Sequence, residues 1–214
     1  MRARVFAIAS AAALTACSTQ SATLDISKVT GLKSAFGREF KVSTHAPSGV
    51  DPKIFDQQVP HGVAFSPPDC AKTGSGLTVP AGTAGNVASI TAEGNGNRYI
   101  VMAVETSKPI VVTSRPEDCK KVTFAGPGVR GQIDDVAAPT IDGAKTLGTH
   151  RVIERLANGK KGIGELYSFT AGFGDYLVIV TANPLVVPGT PVAKVDTTMA
   201  SDLLVKAVAA VRGH

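Results

Sequence analysis

The residues that could do chemistry are few and scattered. Gly126-Pro127-Gly128-Val129-Arg130-Gly131 has the spacing G-x-G-x-x-G. Nucleotide binding by that motif needs a helix next, so that the first helical N–H groups meet a pyrophosphate. Here Gln132-Ile133-Asp134-Asp135-Val136 follows, then Pro139. That reads as a strand, so the run is expected to be a glycine-rich β-turn with no bound cofactor. Asp134-Asp135 could be half of a carboxylate pair or cation site, but strand neighbours point to opposite faces, so the two should not converge. His150 and Glu154 share a strand face while Arg151 points the other way. A cross-strand ion pair or an exposed edge is the default there, and His150 is the first candidate for a catalytic residue. The four histidines, His45, His61, His150 and His214, show no ligand spacing, and no metal site is expected. Gly-x-Ser-x-Gly, Ser-x-x-Lys and His-Glu-x-x-His are absent. A triad assembled from distant residues would leave no such trace, so an exported hydrolase with an unrecognised site stays as the alternative to a binding protein.

The three cysteines carry more information, and the N-terminus explains why. Arg2 and Arg4 precede an uncharged, mostly apolar run from Val5 to Ala16, the basic and apolar regions of a secretion signal. About 12 apolar residues make a helix of roughly 18 Å, too short for a hydrocarbon core of about 30 Å. Leu14-Thr15-Ala16-Cys17 resembles the lipobox of bacterial lipoproteins. That resemblance implies removal of residues 1–16, diacylglycerol on the Cys17 thiol and further acylation, with palmitate among the chains. Two or three acyl chains hold a protein where one holds it marginally. The expected location is therefore outside the cytoplasm, anchored to the cell membrane or envelope. Lipidation leaves Cys70 and Cys119 as an even pair, which in an oxidising compartment reads as a disulfide. A redox motif would need them two residues apart, and no free thiol then remains for a Cys–His pair.

Those residues need a scaffold. The length of 214 residues fits a leader (1–16), a lipidated tether (17–36) and one domain (37–214). Formal charge is +5, about +3 without Arg2 and Arg4, in no long run, and Trp is absent. Nucleic acid is therefore not an expected partner. Alternation over 38–45 predicts a strand. Asp51-Pro52 predicts a short helix to about Gln58. Residues 60–96, rich in Gly, Pro, Asn and Ser, read as a long loop stapled by Cys70. Strands are expected at 99–105, 121–125, 132–137, 147–156, 163–171 and 176–182, with Asn158-Gly159 making a hairpin. The chain should end in a helix capped by Asp196 and Gly213, with Ala200, Leu204, Ala207, Val208 and Val211 on its apolar stripe. Hairpin-linked strands followed by a helix predict an α+β domain: a twisted, mainly antiparallel sheet of about five to seven strands with helices packed on it.

Several strings resemble a family of mycobacterial lipoproteins built on a domain of unknown function: Val50-Asp51-Pro52, Gly85-Asn86-Val87, Ala92-Glu93-Gly94, Asn97-Arg98, Ala103 to Ser107, Leu147 to Val152 and Val180 to Leu185. The layout is also similar to the extracellular sensor domain of PknH-type kinases and to the LpqN-like lipoproteins. These resemblances imply an α+β sheet with helices on one or both faces, and a domain that binds ligands or partners. The chain departs from the sensor domains in having one expected disulfide where they carry two, so fold class alone is carried over. The expectation is a non-enzymatic envelope domain, anchored through Cys17 and sensor-like, that binds a lipid, glycan or envelope protein in a cleft beside the sheet.

Overall fold

The computed structural model describes residues 23–50, 62–71, 77–157 and 160–213. The leader, Cys17, His61, His214, the helix expected after Asp51 and the Asn158-Gly159 turn lie outside the described residues. In chain order the strands are β1 (Lys41–Val50), β2 (Ala64–Ser66), β3 (Leu77–Thr78), β4 (Gly85–Gly94), β5 (Asn97–Thr106), β6 (Val111–Val112), β7 (Lys121–Gly126), β8 (Val129–Val136), β9 (Lys145–Ala157), β10 (Lys160–Phe173) and β11 (Tyr176–Pro184). The helix α1 (Thr197–Arg212) follows them. Nine strands form one antiparallel sheet in the order β1-β4-β5-β11-β10-β9-β8-β7-β2, and β3 pairs with β6 in a small second ribbon.

The α+β architecture with a C-terminal helix on an antiparallel sheet is as expected, but the sheet is larger than five to seven strands. Much of the difference is β4, which the expected loop over 60–96 concealed. Its buried residues are Ala88, Ile90 and Ala92, two of them too small to register as a strand pattern. A two-residue turn joins it to β5, with Asn95 at φ 50° and Gly96 at φ 73°. Positive φ at both positions is the type I′ geometry that matches strand twist. A second difference lies within the expected tether. Residues Ile26–Ala35 form a 3₁₀ segment, capped where the Asp25 side chain accepts from Ser27 N. Ile26, Val29 and the following Phe36 are buried against the sheet.

One core lies under the helices. Alternate residues of β4, β5, β10 and β11, among them Ile90, Tyr99, Val101, Phe169, Val178 and Val180, meet Leu203, Leu204, Ala207 and Val211 of α1. The Asp196 carboxylate caps α1 by accepting from Met199 N at 3.0 Å. At the other end Gly213 takes φ 79° and closes the last turn, as a glycine past a helix terminus does. On the opposite face Val104, Leu147, Leu177 and Ile179 are covered by Leu77, Ile110 and Val112 of the ribbon region. Farther along that face the Cys70–Cys119 disulfide packs with Val122, Phe124 and Ile133. Gly131 is required there: a Cβ would stand 2.4 Å from the Phe124 ring and 2.5 Å from Val152 O.

The disulfide closes a loop with a sequence separation of 49, for which chain entropy gives about 4 kcal/mol. Reduction, or a Cys70→Ala/Cys119→Ala variant, is expected to lower the thermal midpoint by a corresponding amount in calorimetry. An unchanged midpoint would remove the staple from the stability account.

Candidate functional site

The helices cover only part of their face. α1 packs on β5, β10 and β11, and the 3₁₀ segment on β1, β4 and β5. Among the described residues, none of these elements covers the same face of β2, β7 and much of β8 and β9. A cleft of about 640 Å³ lies there, lined by Ser66, Thr123, Gln132, Val152, Arg130 and Glu154. Strand alternation sets which side chains reach it, because Arg130, Gln132, Val152 and Glu154 share one face.

The acidic group at the cleft is Glu154. Arg130 Nε donates to Glu154 Oε2 at 2.6 Å, and Lys161 Nζ stands 3.2 Å from the same oxygen. Hydrogen bonds from Arg130, then from Lys161, hold its carboxyl below the ordinary carboxylate range. Four residues earlier on the same face of β9, His150 Nε2 lies 2.9 Å from Glu165 Oε1. The His150 ring stacks on Tyr167 with centroids 4.2 Å apart and planes 16° off parallel. Burial first, and Glu165 second, pushes the Tyr167 phenol up. Among the described residues, no hydroxyl or thiol hydrogen-bonds His150. The geometry is an imidazole clamped between a carboxylate and a ring, which suits positioning and stacking better than activation of a nucleophile.

The aspartates separate as strand geometry requires. Asp134 stays on the open side, accepting from Gln132 Nε2 at 2.5 Å. Asp135 is on the disulfide side, where Arg115 Nε donates to its Oδ1 at 2.6 Å. Arg151, on that side too, is buried, and its pKa is pushed down to about 10 by burial and then by Arg115. The glycine-rich run is a turn between β7 and β8 with Gly128 at φ 68°, and a strand follows it. Cys70 and Cys119 form the expected bond. Glu165 and Tyr167 carry no signal in the sequence; the β9–β10 register, with Lys160 opposite Ala157, sets Tyr167 opposite His150. In the sequence Arg130 belongs to the glycine run, and Arg115 carries no local signal. Among the described residues, no group of His, Cys, Asp and Glu could hold a metal ion.

Residues 25–212 match a family described as a domain of unknown function, DUF5642. The X-ray structure of an uncharacterized protein from Mycobacterium smegmatis, described as an Rv0999 ortholog, is 55% identical. That match covers 88% of this chain and 97% of the other, with a TM-score of 0.81. The extracellular domain of PknH from Mycobacterium tuberculosis is 16% identical over 90% of this chain and 93% of that one. Its TM-score of 0.39 is too low for residue roles or function to be carried across. No curated protein matches the sequence.

The Glu154 carboxylate should titrate below about 4.3, its ordinary value, in a carboxyl NMR titration, and Arg130→Ala should move the midpoint upward. The sign for stability follows: with the folded pKa depressed, the ion pairs contribute above the unfolded pKa and are lost as pH falls through the folded one. An unshifted midpoint in both proteins would mean that the pairs do not persist in solution.

Proposed function

Because the chain belongs to the DUF5642 family of mycobacterial domains, we propose that it is an exported lipoprotein whose folded domain binds a ligand rather than transforming one. In this reading residues 1–16 are a removed leader and acylated Cys17 holds the protein to the cell membrane or envelope. The stretch from Cys17 to Leu24 is the tether, up to roughly 28 Å at about 3.5 Å per residue. The bound species is a lipid, a glycan or an envelope protein.

The observation that carries the binding part is the cleft of about 640 Å³ on the open part of the helix side, a volume ordinary for small-molecule sites. Its walls mix small and apolar residues with a few fixed polar groups, the composition of a site that orients a ligand. His150 supports the same reading, because its partners are Glu165 and the Tyr167 ring. The support for the anchor is the order Leu14-Thr15-Ala16-Cys17 behind a short apolar run.

Two experiments test the two parts separately. Labelling cells with a palmitate analogue should mark the native chain in the membrane fraction, and Cys17→Ser should lose the label and be released. A native chain that stays unlabelled and soluble overturns the anchor. Native mass spectrometry of the extracted protein should show a bound species that Val152→Arg, which fills the cleft, removes. A bare mass together with turnover of a simple ester would instead favour the hydrolase.

A further inference from the structure

The exposed apolar side chains of this domain are concentrated at one end. Seven large hydrophobic residues are exposed among those described, and five of them are Leu156, Ile163, Val186, Val187 and Val192. Leu156 and Ile163 are 61% and 60% exposed near the tip of the β9–β10 hairpin, and Val186 is 71% exposed. The other valines sit on the loop after β11, which turns where Thr190 N donates to Val187 O at 3.1 Å. The register brings the two projections to the same end. Tyr167 lies opposite Ala182, so β11 runs toward the hairpin tip and stops at Pro184 while β10 continues to Lys160. A recess of about 430 Å³ opens at that step. Gly162 and Gly164 line it, and an added Cβ at either would meet nothing within 4 Å.

The charge at this end is positive. Arg130 and Lys161 share the single carboxylate of Glu154, and Arg155 is exposed beside them. Glu165 of β10 is directed to the other side of the sheet from Arg155 and engages His150. Soluble domains seldom cluster exposed apolar residues in this way without a partner. Protein interfaces concentrate their energy in Trp, Tyr and Arg anchors seated in pockets, whereas all five of these residues are aliphatic and stand on two separate projections. Aliphatic side chains flanked by Lys and Arg are suited to the headgroup–acyl boundary of an anionic bilayer.

We infer that this end, formed by Arg155 and Leu156 of β9, Lys161 and Ile163 of β10 and the 185–192 loop, is a docking surface for an anionic lipid bilayer. It lies opposite the point where the chain enters the domain, since Asp25 N donates to Val211 O in the last turn of α1. β10 is 14 residues long, which at about 3.3 Å each separates the two ends by roughly 45 Å. Taken with the acyl anchor proposed above, the two ends would contact separate lipid surfaces. The docking inference does not rest on the anchor, and its test reads the tip alone.

The chain contains no Trp, so Leu156→Trp places a single indole at the tip. Val111→Trp places one at the 48% exposed position on β6, beside the far end of β10, where Val112 approaches Gly172. Vesicles of phosphatidylglycerol and phosphatidylcholine should shift the emission of the Leu156→Trp protein to shorter wavelength. They should leave the Val111→Trp protein unchanged. Phosphatidylcholine alone should move neither. Adding Arg155→Glu to the Leu156→Trp background should weaken vesicle affinity about tenfold. Absence of a shift at position 156, an equal shift at position 111, or an equal response to phosphatidylcholine alone overturns the inference. An N-terminal segment or acyl group that bound vesicles by itself would not change the emission at position 156, so failure of the anchor and failure of the dock are distinguishable.

Discussion

The structure depends on a mismatch of areas. A nine-stranded sheet has eight inter-strand gaps of about 4.8 Å and is therefore roughly 38 Å wide. The helix laid on it has 16 residues, about 24 Å of length and about 10 Å of width. Even with the 3₁₀ segment beside it, the helix layer cannot cover that face. It covers the β1–β4–β5–β11–β10 side, where alternate residues are apolar, and among the described residues neither helix nor 3₁₀ segment reaches β2, β7 and much of β8 and β9. Those outer strands therefore carry Thr123, Gln132, Asp134, His150 and Glu154 on their uncovered side. The cleft exists because the cover ends before the sheet does.

The other face meets the same problem by different means. The β3–β6 ribbon covers Val104, Leu147, Leu177 and Ile179. Among the described residues, the outer strands on that side have a short 3₁₀ turn at Pro68–Ala71 and the segment leading to Cys119. So little covering chain buries little apolar surface, and the disulfide between Cys70 and Cys119 holds the two pieces against Val122, Phe124 and Ile133 where packing alone would be thin. Between the two apolar clusters runs a polar seam in which Arg115, Arg151, Thr149, Ser168 and Thr170 are buried. Arg115 is tied there by Asp135 and by Lys120 O, which meets the requirement that buried charge be paired.

What could be read in advance followed from local pattern. β5 and β11 carry apolar residues on both faces, α1 has an apolar stripe with Asp196 and Gly213 at its ends, and each lies where the sequence places it. β4 was obscured because Ala88 and Ala92 are buried for lack of size, to let the helix layer approach, and small residues carry almost no periodic signal. Its Asn95-Gly96 turn was as good a hairpin marker as Asn158-Gly159, but it sat inside a stretch that composition marked as loop. The 3₁₀ segment escaped for a related reason: Ile26, Val29 and Leu32 recur every three residues, a period that neither a strand nor an α-helix pattern picks out, and α1, which helps to bury them, comes far later in the sequence. The site was less legible than the fold. His150 could be singled out, but the cleft beside it is defined by which strands the helices fail to reach, and that is a property of the assembled layers.

Antiparallel order then divides the molecule into two ends with different chemistry. The Asn95-Gly96 and Pro127-Gly128 turns are exposed at the β9–β10 end, whereas the entry of the chain into the domain, the end of α1 and the β10–β11 turn gather at the opposite end. That second end is closed by specific contacts. The Arg212 guanidinium lies 4.7 Å over the Phe173 ring and donates to Asp142 O at 2.7 Å, and Asp25 N reaches Val211 O. The hairpin end has fewer ties: β10 outruns β11, and β9 continues past its last pairing with β8 at Arg155 and Val129. Unpaired strand ends and exposed aliphatic residues are costly in a protein that must stay soluble, unless another surface takes them up. The open cleft and the apolar end both border the outer strands. The recognition surfaces proposed for this domain therefore lie where the covering layers run out, and the covered half serves to hold those strands in register.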